Sequence, residues 1–559
     1  MSSEAKFLAP LLPVLLALIC FEPTLNYGFV HDDIYHVVQA GSVLSDFSVA
    51  NIKFAFTTDS WTFLMRDYPA DKKFASFYYR PMLSLYLMLS YAYAGTDARL
   101  WHLTSVLLHA VAVIIAYFAI YLSLENLAQP QSRFLAAVAS CVFAIHPVQA
   151  ESVAWISASA NSLTAIPMLA ALIAYLKARR KQRYFWLFIS AILYGLALLT
   201  KEFAVALLLL LACYELFLFE RERSLKTRLL GFLLQLLPFL VVTSAYLIVR
   251  VWLGIDFGQR SLPFSAQIYT LPVLLLTYFK NIFFPFYLLP FYPIYHVTSA
   301  WSPDFYVPAI LLVLLAVAAG MLSRDVHVRL ALIWILVPLF PALNIRPLKV
   351  EHLIFDRYLY LSTIGAGLLL GYGAAYLGSL SKPLAFRMRI YLGIVIAGLF
   401  VVTIRQNQVW VDEWSYWQTT QQAIPRHCTA NKELGRLFSE HNVIPQAIYH
   451  YQIAAESCSD KTNLHFQIGT LYLNQNRLDE AEVELQYVLQ HANSPEMKAA
   501  CYYNLALVAQ RRGESDKSAD LCNKVLEVAP QSRIADHARS KLAELNNFFL
   551  RRHSVSSLP

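Results

Sequence analysis

Long apolar segments separated by short polar loops dominate the first 405 residues. The segment from Trp101 to Leu124 contains no Asp, Glu, Lys or Arg. Because the hydrocarbon core of a bilayer is about 30 Å thick, roughly 20 apolar residues suffice for one helix to cross it, and this segment predicts a membrane-spanning helix. The first apolar segment, Leu8 to Cys20, lacks a small-residue cleavage site before Glu22-Pro23, so we expect it to be a retained helix.

Nine further apolar segments bring the expected number of crossings to about eleven. They are residues 134–148, 152–176, 184–200, 203–219, 229–250, 305–322, 330–345, 358–381 and 390–405. Two other segments, 81–95 and 268–290, are ambiguous, and we interpret the second as re-entrant or interfacial because Lys280, Pro285 and Pro290 interrupt it. The pattern predicts an all-α, polytopic transmembrane bundle of about 11 to 13 helices over residues 1–407.

Short loops rich in Lys and Arg indicate which side of the membrane is cytoplasmic. Such loops occur at 177–183, 221–228, 324–329 and 382–389. Alternating crossings then predict a cytoplasmic amino terminus and an exported carboxy-terminal region. The exported side collects a first loop, residues 26–79, and polar segments at 146–151, 200–202 and 344–357. A purely structural bundle would scatter such residues over both faces, so this segregation favours a site at the exported membrane surface.

A helical repeat begins where the apolar segments end. Small residues recur at repeat position 8, namely Gly435, Gly469 and Ala506, and at position 20, namely Ala447, Ala481 and Ser518. The pattern is typical of tetratricopeptide repeats, in which small residues let two helices approach closely. We therefore expect a connector over 408–427, three repeats plus a capping helix over 428–550, and a tail over 551–559. Such a solenoid would be a platform for binding another protein.

Composition supports a membrane protein and excludes other classes. The chain is 57% hydrophobic and 15% charged, with a mean hydropathy of +0.46. Its net charge of +8 is distributed in short clusters between apolar segments, so we expect no nucleic-acid binding. The seven cysteines show no zinc-ligand spacing. In an oxidising compartment Cys428 would pair with Cys458 and Cys501 with Cys522; alternatively, all four are small buried residues.

Candidate chemistry lies near the predicted exported helix ends. Asp32 and Asp33 follow His31 directly after the first helix, where they form either an acidic helix cap or a general base with a neighbour that orients it or holds a metal ion. The other candidates are Arg80, His102, His109, His146, Glu151, Lys201, Glu202, Asp356 and Arg357. Arg and Lys suit a phosphate, although each alone is more often an ordinary helix-end residue. Together these residues favour an anionic, lipid-linked substrate and a base.

A series of motifs gives this candidate set a family resemblance. They are Asp32-Asp33, Tyr79-Arg80-Pro81, His102-Leu103-Thr104, Phe143 to Pro147, Glu151 to Trp155, Leu199 to Glu202 and Asp356 to Leu361, followed by Trp410 to Trp417 before the repeats. In this order, and over nearly the whole chain, they resemble the transmembrane and tetratricopeptide-repeat O-mannosyltransferases of the GT-C glycosyltransferase superfamily. In one departure, the neutral residues 157–161 replace a charged stretch found in many relatives.

The resemblance implies an integral membrane glycosyltransferase. It would transfer a mannose-like sugar from a polyprenyl-phosphate donor to Ser/Thr hydroxyls of an exported protein bound by the repeats, with inversion at the anomeric carbon. Asp33 or Asp32 would be the general base. Arg80, Lys201 and Arg357 would bind the donor phosphate, and His31, His102, His146, Glu151, Glu202 and Asp356 would form the substrate pocket. A divalent cation, Mg²⁺ or Mn²⁺, stays an open requirement; Asp32, Asp33 and Glu151 are its candidate ligands.

Two other functions remain possible at this stage. The first is a non-enzymatic, membrane-anchored repeat scaffold, which would tolerate Asn at Asp32 and Asp33. The second is a glycan ligase or polymerase with a saccharide acceptor. A transporter is disfavoured because the charged residues lie mostly at helix ends. We expect the bacterial inner membrane as the location, with the repeats in the periplasm.

Overall fold

The computed structural model describes residues 3–68, 76–129, 131–219, 225–255, 262–345 and 353–555. Within these ranges the regular elements are all helices and no β-strand occurs, which confirms the predicted all-α class. The chain divides into two compact units, Met1–Tyr416 and Trp417–Pro559. Parts of the basic loop 221–228, of the polar segment 344–357 and of the tail 551–559 lie outside the described residues.

The first unit contains long apolar helices and several short ones. They are α1 (Ser3–Phe21), α2 (Gly41–Leu44), α3 (Val49–Thr57), α4 (Ser60–Leu64), α5 (Pro81–Ala94), α6 (Ala98–Asn126), α7 (Ser132–Ile145), α8 (Gln149–Val153), α9 (Ala160–Lys181), α10 (Tyr184–Thr200), α11 (Ala206–Cys213), α12 (Leu225–Trp252), α13 (Phe264–Phe283), α14 (Pro303–Leu322), α15 (Val326–Leu336), α16 (Thr363–Leu380) and α17 (Lys382–Asn407). A further helix, α18 (Glu413–Ala423), contains the boundary between the units.

Local sequence explains where several of these helices begin. The Asp97 side chain accepts a hydrogen bond from the Arg99 backbone N–H at the start of α6, and Asp325 caps α15 in the same way. Pro81 occupies the first turn of α5, where its missing N–H costs nothing. Because such caps satisfy backbone groups that the first helical turn leaves without a partner, they place each helix start at a defined residue.

Seven helical segments of the described residues are long and apolar enough to cross a membrane. Three shorter apolar helices, Ser132–Ile145, Tyr184–Thr200 and Val326–Leu336, coincide with further predicted crossings. The sequence predicts about eleven crossings. Fewer helices reach the length needed to cross a membrane, because several of the predicted spans fold as shorter helices. In α14 only Pro308 is buried; such an exposed apolar helix fits contact with lipid. The chain is an integral membrane protein.

The two ambiguous segments also form helices, α5 and α13, and neither is among the seven. Small residues bring the long helices together. A Cβ atom on Gly367 of α16 would lie 2.7 Å from the Ala139 Cα of α7, and one on Gly371 would lie 3.2 Å from the Val138 Cβ. Glycines four residues apart therefore let two helix backbones approach closely, as is common in membrane bundles.

The second unit consists of successive helix pairs and a longer last helix. Its helices are α19 (Cys428–Glu440), α20 (Ile444–Ser457), α21 (Thr462–Asn474), α22 (Leu478–His491), α23 (Pro495–Arg511), α24 (Ser515–Val528) and α25 (Arg533–Val555). The last helix extends five residues into the predicted tail. A Cβ on Gly435 would lie 2.6 Å from the Tyr451 ring, and one on Gly469 would lie 3.0 Å from the Leu485 Cγ. Tyr451 and Leu485 both occupy position 24 of their repeats, so positions 8 and 24 of a repeat are in contact.

The four cysteines of this unit behave differently from one another. Cys428 and Cys458 form a disulfide between the start of α19 and the residue after α20. Cys501 and Cys522 are buried thiols, so the second pairing that the sequence allows is not formed. Both thiols pack in the apolar core of this unit.

Candidate active site

A cavity of about 500 Å³ lies in the first unit, where the first loop meets α5, α10 and α12. Its charged lining residues are Asp32, Arg80, Lys201, Glu202, Arg250 and Arg357, and we call it the central cavity. Ligand cavities in proteins typically enclose roughly 300–1,000 Å³. The size therefore suits a small organic ligand.

Arg80 is held by a carboxylate across the cavity. Its Nε donates to Glu202 Oε2 at 2.9 Å and its Nη2 to Glu202 Oε1 at 2.5 Å. The guanidinium also lies over the Tyr78 ring, 4.1 Å from its centroid. Burial alone would raise the pKa of Glu202, but the charge and hydrogen bonds of Arg80 lower it, so Glu202 is ionised. This bidentate pair fixes the plane of the guanidinium.

Arg357 is positioned in a similar way by Glu151. Its backbone N–H donates to Glu151 Oε2 at 2.8 Å and its Nη1 donates to Oε1 of the same carboxylate. The guanidinium lies 3.9 Å from the centroid of the Phe355 ring and 5.1 Å from that of Trp155. Glu151 itself does not line the cavity, so it orients Arg357 from behind.

Lys201 differs from the two arginines because a neutral group holds it. It follows the last residue of α10, is only 6% exposed, and donates to the Asn161 Oδ1 at 2.5 Å. No carboxylate in the described parts of the chain lies within ion-pair distance of its Nζ. Burial, followed by the charges of Arg80 and Arg357, holds the pKa of Lys201 well below its usual value.

The cavity has a surplus of positive charge. Among the described residues, four cationic side chains line it and two carboxylates, Asp32 and Glu202, face them. Arg250 was not predicted from the sequence, since a single Arg in the last turn of an apolar helix is normally a helix-end residue. In the structure its Nη2 donates to the Phe77 carbonyl at 2.9 Å. The electrostatics favour an anionic ligand.

Asp32 and Asp33 point to different surroundings. Asp32 lines the cavity, and its Oδ1 lies 3.0 Å from His31 Nδ1. Burial would raise the pKa of Asp32, but the charge and hydrogen bond of His31 outweigh it and hold the pKa below the usual range. Asp32 is therefore a carboxylate that a substrate hydroxyl can reach.

Asp33 is almost fully buried and does not line the cavity. Its Oδ1 accepts from the Ser157 backbone N–H at 2.7 Å and from the Ser157 hydroxyl at 2.5 Å, while its Oδ2 accepts from the Val30 N–H at 3.1 Å. Burial raises its pKa to about 7 despite these hydrogen bonds. Asp33 thus ties the first loop to the segment after α8, and this contact presents Asp32 to the cavity.

The neutral segment 157–161 is central to this arrangement. In the sequence it is notable only because it replaces a charged stretch found in many members of the family that the chain resembles. Ser157 binds Asp33, and Asn161 binds Lys201. The Trp155 indole also donates to the Val30 carbonyl at 3.2 Å. The segment 157–161 therefore contacts the first loop through Ser157 and the residue after α10 through Asn161, and the nearby Trp155 adds a second contact with the first loop.

Other predicted pocket residues lie away from the cavity. His102 Nε2 lies 3.3 Å from the Gly28 carbonyl, and His146 Nε2 lies 2.8 Å from the Ile282 carbonyl. Asp356 accepts hydrogen bonds from the Tyr292 hydroxyl and from Asn281 Nδ2. These contacts position helices and the segment that carries Arg357, and the described lining of the central cavity does not include His102, His146 or Asp356. His31 touches Asp32 and is a neighbour of the cavity.

The candidate metal ligands are not brought together. In the described ranges no group of three or more His, Cys, Asp or Glu side chains is arranged to hold a metal ion. Asp33 faces Ser157, and Glu151 is paired with Arg357. The residues Asp32, Asp33 and Glu151 therefore do not form the ligand set that the sequence analysis considered.

Comparisons with known proteins extend along the whole chain. Human protein O-mannosyl-transferase TMTC3 is 22% identical over 94% of this chain and 60% of its own length. Its Drosophila melanogaster counterpart Tmtc3 is 25% identical over 87% of this chain and 59% of its own length. The predicted resemblance to these O-mannosyl-transferases is confirmed. The chain spans about six tenths of the length of these relatives. No protein-family model matches it.

Two solved structures are also similar, with low TM-scores and low sequence identity. The Archaeoglobus fulgidus oligosaccharyltransferase in its apo form gives a TM-score of 0.39 at 12% identity, covering 73% of this chain and 56% of that one. ArnT from Cupriavidus metallidurans, bound to undecaprenyl phosphate, gives 0.38 at 15% identity, covering 93% and 80%. Neither overlap assigns a role to a residue of this chain.

Proposed function

We propose that this chain is a GT-C-type membrane glycosyltransferase that transfers a mannose-like sugar from a polyprenyl-phosphate donor to a Ser/Thr hydroxyl of an exported protein. The observation that carries the proposal is the central cavity, in which Asp32 faces a surplus of cationic side chains. The O-mannosyl-transferase names of the relatives support the reaction class.

The cations suit the phosphate of the donor. Arg80 and Arg357 are each oriented by a carboxylate but retain N–H groups for a ligand, and Lys201 brings a charge that no carboxylate neutralises. Hydrogen-bonding side chains that are held in place before the reaction stabilise the charge that develops on a leaving group, and they do so most strongly where water is excluded. The polyprenyl phosphate would leave as an anion bound by these three side chains.

Asp32 would act as the general base. In a single displacement it accepts the proton of the acceptor hydroxyl while that oxygen attacks the anomeric carbon. The bond from this carbon to the phosphate oxygen breaks, and its electron pair leaves with the phosphate. Attack opposite the leaving group inverts the anomeric configuration, as in other inverting reactions at this carbon. Asp33 positions Asp32 through the first loop.

The test is sugar transfer by the purified, reconstituted full-length chain. Radiolabelled polyprenyl-phosphate mannose is the donor and an exported Ser/Thr-rich protein the acceptor. Asp32→Asn should lower kcat by about 10²- to 10⁴-fold, because a general base contributes that much. The donor dissociation constant should change little. Asp304→Asn, an exposed change at the start of α14, is the matched control.

Three results would contradict the proposal. Retention of more than a tenth of the wild-type kcat by Asp32→Asn would remove the base assignment. Absence of transfer by the wild type with any polyprenyl-phosphate sugar, while an exported partner still binds, would favour the non-enzymatic scaffold. Efficient transfer to saccharides but not to proteins would favour the glycan ligase or polymerase.

We also propose that the residues from Trp417 onward are exported. The Cys428–Cys458 disulfide supports this, because disulfides persist in oxidising compartments. Periplasmic exposure in a bacterial inner membrane, and acceptor binding by the repeats, stay predictions. Labelling of an introduced surface cysteine in the second unit of intact spheroplasts by a membrane-impermeant maleimide tests the orientation; protection would contradict it.

A further inference from the structure

A second cavity, of about 720 Å³, lies between the ends of α6 and α16 and the starts of α7 and α17. We call it the basic-end cavity. Helix α7 begins here at Ser132 and ends at Ile145, shortly before Glu151. At 1.5 Å per residue its 14 residues span about 21 Å. Glu151 contacts Arg357, which lines the central cavity, so the two cavities lie near opposite ends of α7 and at different ends of the bundle.

Two arginines give the basic-end cavity an uncompensated positive charge. Arg133 and Arg389 line it, and no carboxylate in the described part of the chain lies within ion-pair distance of either. The one lining carboxylate, Glu125, is already engaged. It accepts from the Tyr121 hydroxyl at 2.8 Å and from Arg180 Nη1 at 2.5 Å. An anion entering the cavity would meet two cations and a neutralised carboxylate.

The rest of the lining combines polar side chains, among them Gln129, Gln131 and Ser132, with a larger share of apolar surface. Ala374, Ala375, Met388 and Leu392 form one wall. On the same two helices, neighbouring apolar side chains outside the cavity are exposed, among them Leu380 at 63% and Ile390 at 48%. In a membrane protein such side chains contact hydrocarbon. The cavity thus places cationic groups beside a surface that lipid covers.

We propose that the basic-end cavity binds an anionic phospholipid. Its phosphate would lie between Arg133 and Arg389, and an acyl chain would follow Met388 and Leu392 into the bilayer. Basic pockets between membrane helices on the cytoplasmic side commonly bind anionic head groups. A soluble phosphate would satisfy the arginines but would leave the apolar wall uncovered, so the lining favours the lipid.

The experiment measures lipid retained by the full-length protein. The protein is purified in detergent with equal amounts of phosphatidylglycerol and phosphatidylcholine, and bound lipid is counted by native mass spectrometry. Arg133→Gln/Arg389→Gln should reduce retained phosphatidylglycerol by about thirtyfold, because two cations that each contribute about 1 kcal/mol to binding an anionic lipid are lost. Phosphatidylcholine should be unaffected.

The control pair is Lys382→Gln/Arg387→Gln, which removes the same charge from exposed positions of α17 outside the cavity. An equal loss in both pairs, or no loss in either, would overturn the proposal. Ala375→Leu narrows the cavity without changing charge and should also lower phosphatidylglycerol retention; this variant decides the question if the arginine pair fails to fold. Displacement of the lipid by millimolar glycerol phosphate would instead indicate a soluble-anion site and would overturn the lipid assignment.

Discussion

Lys201 offers the sharpest quantitative prediction, because a neutral partner holds its charge. Lys201→Met removes the ammonium group and preserves most of the side-chain volume. A hydrogen bond to a charged group contributes about 1.5–3 kcal/mol, which corresponds to a loss of donor affinity of about 10- to 150-fold. The side chain is only 6% exposed, so solvent screens its charge little, and we expect a loss in the upper half of this range.

Asn161→Leu tests whether the contact of Lys201 with Asn161 orients the ammonium group. Alone it should weaken donor binding by about 5- to 30-fold, the equivalent of one hydrogen bond of about 1–2 kcal/mol. In the Lys201→Met background it should add less than about twofold, because residues in direct contact are energetically coupled. Lys53→Met, an exposed change on α3, controls for loss of a lysine.

The assay is the dissociation constant of polyprenyl-phosphate mannose, measured by calorimetry on reconstituted protein and compared with KM for transfer. Far-ultraviolet circular dichroism checks that each variant is folded. Equal losses from Asn161→Leu in both backgrounds would refute the coupling. A loss below about threefold for Lys201→Met, less than half of a single hydrogen bond to a charged group, would refute the phosphate role of Lys201.

Three further predictions concern pH and stability. Because burial and the nearby Arg80 and Arg357 lower the pKa of Lys201, the donor KM of the wild type should rise with pH well before an ordinary lysine would lose its proton, whereas Lys201→Arg should show a flat profile over the same range; parallel profiles would contradict this. Burial raises the pKa of Asp33 to about 7, so the folded form holds a proton that the unfolded form releases above its ordinary pKa. The free energy of unfolding should therefore rise as pH falls from about 7 towards 4, by up to about 1.4 kcal/mol per pH unit, and Asp33→Asn should lose this slope; an unchanged slope would show that other groups cause it. Cys458→Ser should lower the free energy of unfolding of the second unit by about 3.6 kcal/mol, since the disulfide closes a separation of 30 residues, and a difference that persists in dithiothreitol would contradict the disulfide as its cause.

The sequence was most informative where one physical requirement dominates. The uncharged segment Trp101 to Leu124 predicted a spanning helix, and it lies within α6, Ala98–Asn126. The segment 268–290 was ambiguous because Lys280, Pro285 and Pro290 interrupt it, and the structure ends α13 at Phe283, before Pro285. A bilayer requires helices wherever backbone meets hydrocarbon. It does not determine how long each helix must be when neighbours bury its ends.

Candidate site residues were harder to rank than helices. Arg80, Lys201, Arg357 and Asp32 were candidates from the sequence and line the central cavity. His102 and His146 had the same sequence signal, a polar residue near a helix end, yet they contact backbone carbonyls away from it. Residue type and position near a membrane surface indicate that a polar group needs a partner. They do not indicate whether that partner is the protein or a ligand.

The pattern of residues was sufficient to predict a helical membrane protein with a second, more polar helical unit, because apolar segments and periodic small residues act locally. It was also sufficient for the family resemblance, because motif order is a property of the chain. Which of the two adjacent aspartates faces the central cavity emerged from the folded structure alone. Asp32 and Asp33 differ by one position, and the choice depends on Ser157, 124 residues away, whose N–H and hydroxyl bind Asp33. A contact between residues so distant in sequence forms only when the whole bundle has folded, so no local pattern could encode it.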